Sequence, residues 1–132
     1  MSSVLSLKTM LRCRDLAASR RFYVDLLGLD VVEEWAQPGD EGCIVGFGPG
    51  GGFLELLAVN AEHPKHRPAF EAVVANDKIE LQIHVKSVDD WAERLLEAVE
   101  MEGPVTRPWG NRYLWIRDPD GVRVALFQGP ME

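Results

Sequence analysis

Apolar positions along the chain alternate at two different periods, and the same succession of periods occurs twice. Ser6 to Arg12 alternates as a strand does, and from Asp15 to Leu27 the spacing turns helical, with Leu16, Phe22, Tyr23, Leu26 and Leu27 on one apolar face. Asp15 is placed to cap that helix and Gly28 to end it. Three apolar runs follow: Leu29 to Trp35, Cys43 to Phe47 and Phe53 to Val59. They are separated by Gln37-Pro38-Gly39-Asp40 and Gly48-Pro49-Gly50-Gly51-Gly52, turn chemistry that predicts a meander. A polar bridge from Asn60 to Asp77 comes next, in which Pro68 to Ala75 reads as a short helix. Then the order repeats, with a strand over Ile79 to Val85 and a helix over Val88 to Met101 whose stripe is Trp91, Leu95, Leu96 and Val99. Val105 to Trp109, Asn111 to Arg117 and Val122 to Gln128 supply three more strands, the last two joined by the Asp118-Pro119-Asp120-Gly121 turn. The predicted fold is α+β: one domain over 1–132, built of two βαβββ modules (about 5–59 and 79–128, bridge 60–78) that form a curved mixed eight-stranded sheet around a cleft, helices outside.

Residues two apart on a strand share a face, so the pattern also sorts side chains between helix and cleft. Leu5, Leu7, Thr9 and Leu11 are expected under the first helix, leaving Ser6, Lys8, Met10 and Arg12 on the cleft side. Phe53, Glu55, Leu57 and Val59 share a side of the fourth strand. In the fifth, Ile79, Leu81, Ile83 and Val85 pack on the helix, so Glu80, Gln82 and His84 face the cleft. In the eighth, Val122, Val124 and Leu126 go under, and Arg123, Ala125 and Phe127 point inward. Tyr113 and Trp115 share one side of the seventh strand, with Trp109 on the Trp-Gly turn before it. Together with Trp35 and Phe47 these rings make an aromatic set, and aromatic walls suit flat or apolar ligands, although rings on strands also serve as core. Candidate ligand-binding residues are Met10, Arg12, Phe53, Gln82, His84, Trp109, Tyr113, Trp115, Arg123 and Phe127.

Composition narrows the classes. A hydrophobic content of 46% over 132 residues supports an ordinary core without metal or disulfide staples. Cys13 and Cys43 have no Cys-x-x-Cys spacing, and no long apolar run or leader-like segment occurs, which points to a reduced cytoplasm, buried thiols and no membrane partner. The net charge of −7 argues against nucleic acid, whose binding rests on basic patches, and suits a cationic ligand better than an anionic one. The glycine-rich run has no lysine and no following helix, so it reads as a hairpin turn and not a phosphate cradle. His63 and His66 lie in the polar bridge and read as solvated.

Two segments carry a family resemblance: Arg14-Asp15-Leu16-Ala17-Ala18-Ser19-Arg20-Arg21-Phe22-Tyr23 with Leu26-Leu27-Gly28-Leu29, and Asp118-Pro119-Asp120-Gly121 with Val122-Arg123-Val124-Ala125-Leu126-Phe127. With them the chain resembles the vicinal oxygen chelate superfamily, which includes glyoxalase I, extradiol dioxygenases, fosfomycin-resistance enzymes and bleomycin-resistance proteins. The resemblance implies the two-module fold, a homodimer, and metal-ligand positions that here read Lys8, Glu55, Glu80 and Ala125. Lysine and alanine are poor replacements for ligands, one carrying a proton where a lone pair is needed and the other offering no donor. Neither a metal nor another cofactor is therefore expected. An ion-paired cluster of Lys8, Glu55 and Glu80 is expected in the ion's place, or these charges read a ligand.

Three functions follow. The first is metal-independent binding of a small organic molecule in an aromatic-lined cleft, in the manner of bleomycin-resistance proteins. The second is a metal-free isomerase or lyase in which Glu55 or Glu80 abstracts a proton while Lys8 steadies the oxyanion. The third is a divalent-metal-dependent glyoxalase- or dioxygenase-like enzyme, against which Lys8 and Ala125 count directly.

Overall fold

The computed structural model describes residues 3–59, 67–74 and 77–130. The chain divides into two compact units, Met1–Ala72 and Val73–Glu132. Among the described residues eight strands fall into two four-stranded mixed sheets, one per unit, each with one parallel pair and a meander.

In the first unit β1 (Lys8–Cys13) leads into α1 (Leu16–Arg20), then β2 (Asp30–Gln37), β3 (Asp40–Gly46) and β4 (Phe53–Ala58), with sheet order β1-β4-β3-β2. Asp15 caps α1 by accepting a hydrogen bond from the Ala18 amide at 3.1 Å. The helix widens into a π-helical segment, Arg21–Leu26, in which the Leu27 amide reaches back to the Phe22 carbonyl. The wider turn brings the adjacent Phe22 and Tyr23, together with Leu27, into the core, Phe22 and Tyr23 meeting edge to face at 4.8 Å. Under this helix lie Val45, Leu54, Leu56 and the two thiols Cys13 and Cys43, all buried. Burial pushes the Cys43 thiol above its ordinary range. The glycine-rich run is a hairpin turn, closed by the Phe47 amide on the Gly52 carbonyl and the Gly51 amide on the Gly48 carbonyl.

Leu5 and Leu7, expected under α1, are 96% and 73% exposed. Their neighbour strand explains the difference. β1 runs parallel to β4 with Lys8 opposite Phe53, the first residue of β4 after the Gly52 turn. Chain before Lys8 therefore lies beyond the paired, helix-covered part of the sheet, although the Leu7 carbonyl still accepts the Phe53 amide. After the sheet, α2 (Arg67–Glu71) lies against β1 and replaces the expected helix over 68–75. His63 and His66 lie outside the described residues.

The second unit repeats the plan with β5 (Glu80–His84), α3 (Val88–Leu95), β6 (Glu102–Thr106), β7 (Arg112–Arg117) and β8 (Arg123–Gln128), in sheet order β5-β8-β7-β6. Ser87 caps α3 through the Asp90 amide. The helix ends at Leu95 and does not reach Met101, because the Leu96 amide closes on Glu93 and Glu97 enters the left-handed region at φ +72°. Leu96, expected on the apolar stripe, is accordingly 66% exposed. Val88, Leu95, Leu114, Ile116, Val124 and Leu126 form the core. Ile79 precedes β5 and is exposed, contrary to its expected place on the helix.

β6 is displaced from the expected Val105–Trp109. Pro108 has no amide for a ladder, and Arg107-Pro108-Trp109-Gly110 closes as a turn through the Gly110 amide on the Arg107 carbonyl at 2.9 Å. A register shift between Glu102 and Val105, around Gly103 and Pro104, extends the strand the other way. The Asp-Pro-Asp-Gly turn has the same proline and glycine spacing. There the Asp118 carboxylate accepts the Asp120 and Val122 amides at 2.9 Å each, and the Gly121 amide reaches the Asp118 carbonyl. No described helix is long and apolar enough to cross a membrane.

Candidate ligand-binding site

The candidate residues stand on the face of each sheet away from α1 or α3, its open face, which α2 meets through Phe70 on Arg12 in the first module and on which Ala125, Phe127 and Trp115 are buried in the second. In the first module the register puts Lys8, Met10 and Arg12 of β1 beside Phe53, Glu55 and Leu57 of β4 on this open face. Lys8 Nζ lies 2.8 Å from Glu55 Oε1, with the lysine side chain 48% exposed and the glutamate 15%. Arg12 holds its guanidinium 4.3 Å from the centre of the Phe70 ring of α2, and its buried Nε has no hydrogen-bond partner among the described residues. Trp35, paired with Gly42, lies over that glycine, where a Cβ would sit 2.8 Å from the indole, and its Nε1 donates to Asp40 at 2.8 Å. Apolar side chains here are mainly aliphatic, and Met10 and Phe53 are 40% and 38% exposed.

The second module's corresponding face is built of rings, of which Phe127 and Trp115 are buried, Tyr113 is half-buried and His84 is exposed. Glu80, Gln82 and His84 of β5 stand opposite Arg123, Ala125 and Phe127 of β8, and β7 adds Trp115 beside Ala125 and Tyr113 beside Phe127. The rings form one row of nearly parallel plates. His84 stacks on Phe127 at 4.8 Å and 17°, Phe127 on Tyr113 at 5.8 Å and 23°, and Tyr113 on Trp115 at 5.6 Å and 6°. His84 Nε2 lies 2.7 Å from the Gly129 carbonyl, so that nitrogen carries the proton and Nδ1 is the ring's remaining polar atom. Trp109 meets Tyr113 edge-on at 6.3 Å and 74° and is 64% exposed.

Charges sit at one end of this row. Arg123 donates through Nε to Glu80 Oε1 at 2.7 Å, Gln82 donates to Glu80 Oε2 at 2.8 Å, and the Arg123 guanidinium also approaches Glu102 at 3.5 Å. Both Arg123 and Arg107 lie 5.1 Å from the centre of the Trp115 ring. A groove of about 450 Å³ opens alongside, bordered by Met101, Glu102, Trp115, Arg117 and Arg123. The structure thus gathers Gln82, His84, Tyr113, Trp115, Arg123, Phe127 and, at the rim, Trp109 on one module. Met10, Arg12 and Phe53 stand on the other module's sheet.

The profile of the Glyoxalase/Bleomycin resistance protein/Dioxygenase superfamily matches residues 6–126. The chain belongs to this superfamily. Solved structures agree on the fold. An antibiotic binding protein from Streptomyces sp. CB03234 (TnmS3) is 23% identical with a TM-score of 0.69, the match covering 98% of this chain and 99% of that one. A superfamily member from Sphaerobacter thermophilus DSM 20745 is 22% identical with a TM-score of 0.72, over 96% and 98% of the two chains. SMU.1112c is 20% identical with a TM-score of 0.74, over 96% and 99%. No curated protein matches.

Metal-dependent members of the superfamily imply ligands at Lys8, Glu55, Glu80 and Ala125, and the residues present do not fit a cation. Lys8 engages Glu55 in the first module, Arg123 and Gln82 engage Glu80 in the second, and Ala125 is a fully buried methyl. Among the described residues no three His, Cys, Asp or Glu side chains come together as a metal site.

Arg107 and Glu102 escaped the strand pattern because both lie where β6 departs from its expected register. The signal for Arg107 was the Pro108 and Gly110 spacing that makes its segment a turn.

Proposed function

We propose that the protein is a metal-independent small-molecule-binding member of the superfamily, taking a flat organic ligand on the aromatic face of the second module. The supporting observation is the row His84, Phe127, Tyr113 and Trp115, whose planes lie within 23° of their neighbours. A flat ligand gains from such rings both buried area and the ordered edge-and-face contacts of aromatic pairs. Glu80 suits recognition better than proton abstraction, since one oxygen is held by Arg123 and the other by Gln82. Antibiotic binding, stated for TnmS3, supports the same class of function.

The test is native mass spectrometry of freshly purified protein, followed by calorimetric titration with planar aromatic compounds. Binding without stoichiometric metal, weakened about tenfold by Tyr113→Leu, is the expected outcome. One transition-metal ion per chain, or indifference to Tyr113→Leu, would overturn the reading.

A homodimer belongs to the same proposal. β1 and β2, and β5 and β6, are edge strands of their sheets, and Val4, Leu5 and Leu7 leave apolar surface beside one of them. Light scattering at tens of micromolar should give twice the chain mass; a value near 14.8 kDa would refute it.

A further inference from the structure

The whole chain is acidic, but the charges on the aromatic face are distributed differently. At the end where β5 begins, the carboxylates are engaged: Glu80, Glu102 and Asp77 lie 2.7, 3.5 and 3.9 Å from Arg123, and Asp77 also takes Arg117 at 2.7 Å. The turn between β6 and β7 brings a second cation and an indole to the same rings, with Arg107 sharing Trp115 with Arg123. Arg107 lies over Trp115 and has no carboxylate at ion-pair distance among the described residues, while Trp109 touches Tyr113 edge-on and is 64% exposed. Pro108, the Gly110 amide on the Arg107 carbonyl and the Arg107 amide on the Asn111 carbonyl fix this turn, so the two side chains are presented together.

We propose that the ligand is a planar aromatic anion, its ring held against Trp109 and Tyr113 and its carboxylate, or an equivalent oxyanion, hydrogen-bonded by Arg107. This deepens the binding function proposed above and rests on it. A guanidinium matches a planar oxyanion with two parallel N–H donors, and aromatic ring edges carry the positive end of the quadrupole. The chain's net charge of −7 does not reverse the preference. Exposed charges are screened over about 8 Å at physiological ionic strength, so the cation in contact decides.

Three probes with one ring system separate charge from shape: 2-naphthoate, 2-naphthamide and 2-naphthylmethylammonium, titrated by calorimetry with the Trp109 indole N–H followed by NMR. Naphthoate should bind about tenfold more tightly than the amide, and the ammonium most weakly. Arg107→Gln should erase the advantage of naphthoate and leave the amide's affinity within about twofold. Equal binding of the three probes, or a naphthoate preference that survives Arg107→Gln, would overturn the anion assignment and leave the ring row standing as a binding site. Failure of all three to bind the wild-type protein would overturn both.

Discussion

In the first module the open-face ion pair runs from a lysine on the leading strand to a glutamate on the last, Lys8 to Glu55. In the second the polarity is reversed, from Glu80 on the leading strand to Arg123 on the last. The surroundings differ as well: Met10, Phe53, Leu57 and Ile44 accompany the first pair, and a row of four rings adjoins the second. The helix-facing sides are alike, with Val45, Leu54 and Leu56 in one module and Leu114, Ile116, Val124 and Leu126 in the other. Topology is thus maintained by the covered face, where close packing restricts exchange, while the open face varies in charge and shape without disturbing the strand order. The ring-bearing module is the one expected to carry recognition.

The largest test of that division strikes the covered face. Leu114→Ala, at a fully buried site, should cost about 2–5 kcal/mol in chemical denaturation, whereas Leu57→Ala on the first module's open face should cost less than half as much. Similar losses would mean that the open face is packed as core. Next comes Gly121→Ala, which places a methyl at φ +84° within 2.6 Å of Val73 and should destabilise by about 1–3 kcal/mol. Gly48→Ala, at φ +89° but in open space, separates backbone strain from crowding.

The ion pairs give a smaller contrast. Glu80→Gln should cost about 1–2 kcal/mol because Arg123 is only 22% exposed and would lose its closest carboxylate. Lys8→Met should cost about 0–1 kcal/mol, since half of the lysine side chain is in water. Urea midpoints of the two variants measure the difference directly, and equal midpoints would remove it.

The smallest effect is an acid one. Arg117 holds Asp77, and Arg112 holds Asp89, below the usual carboxylate range. A carboxylate whose folded pKa is depressed contributes stability above its unfolded value, about 3.9, and loses it as pH falls through the folded value. Asp77→Asn should therefore make the fall in melting temperature between pH 5 and pH 2, a window taken around that value, slightly shallower than in the wild-type protein. Both groups are solvated and the effect is correspondingly slight.

The strand faces were legible because alternation is a local property: Thr9, Leu11, Leu54 and Leu56 fall on one side of the first sheet and Lys8, Met10 and Glu55 on the other without any knowledge of their partners. Where elements stop is decided by partners, and there the pattern failed. Leu5 and Leu7 alternate correctly but precede β1, which β4 pairs from Lys8 onward, and Leu96 has helical spacing but sits at the cap that closes the helix. In the site, Phe127, Tyr113 and Trp115 were readable as one face. The link between Arg123 and Glu80 was not, because it depends on parallel register between strands far apart in sequence. Arg107 was hidden by a strand assignment that its own proline forbids.

Trp35 is the single tryptophan of the first module, lying over Gly42 and tethered by Asp40, while Trp91, Trp109 and Trp115 all belong to the second. The two halves are therefore optically addressable. With Trp35 replaced by Phe, every photon emitted from indole reports on the second half, and the difference from the unmodified chain reports on the first, so the order in which the halves lose structure can be timed by stopped-flow emission in a single pair of experiments.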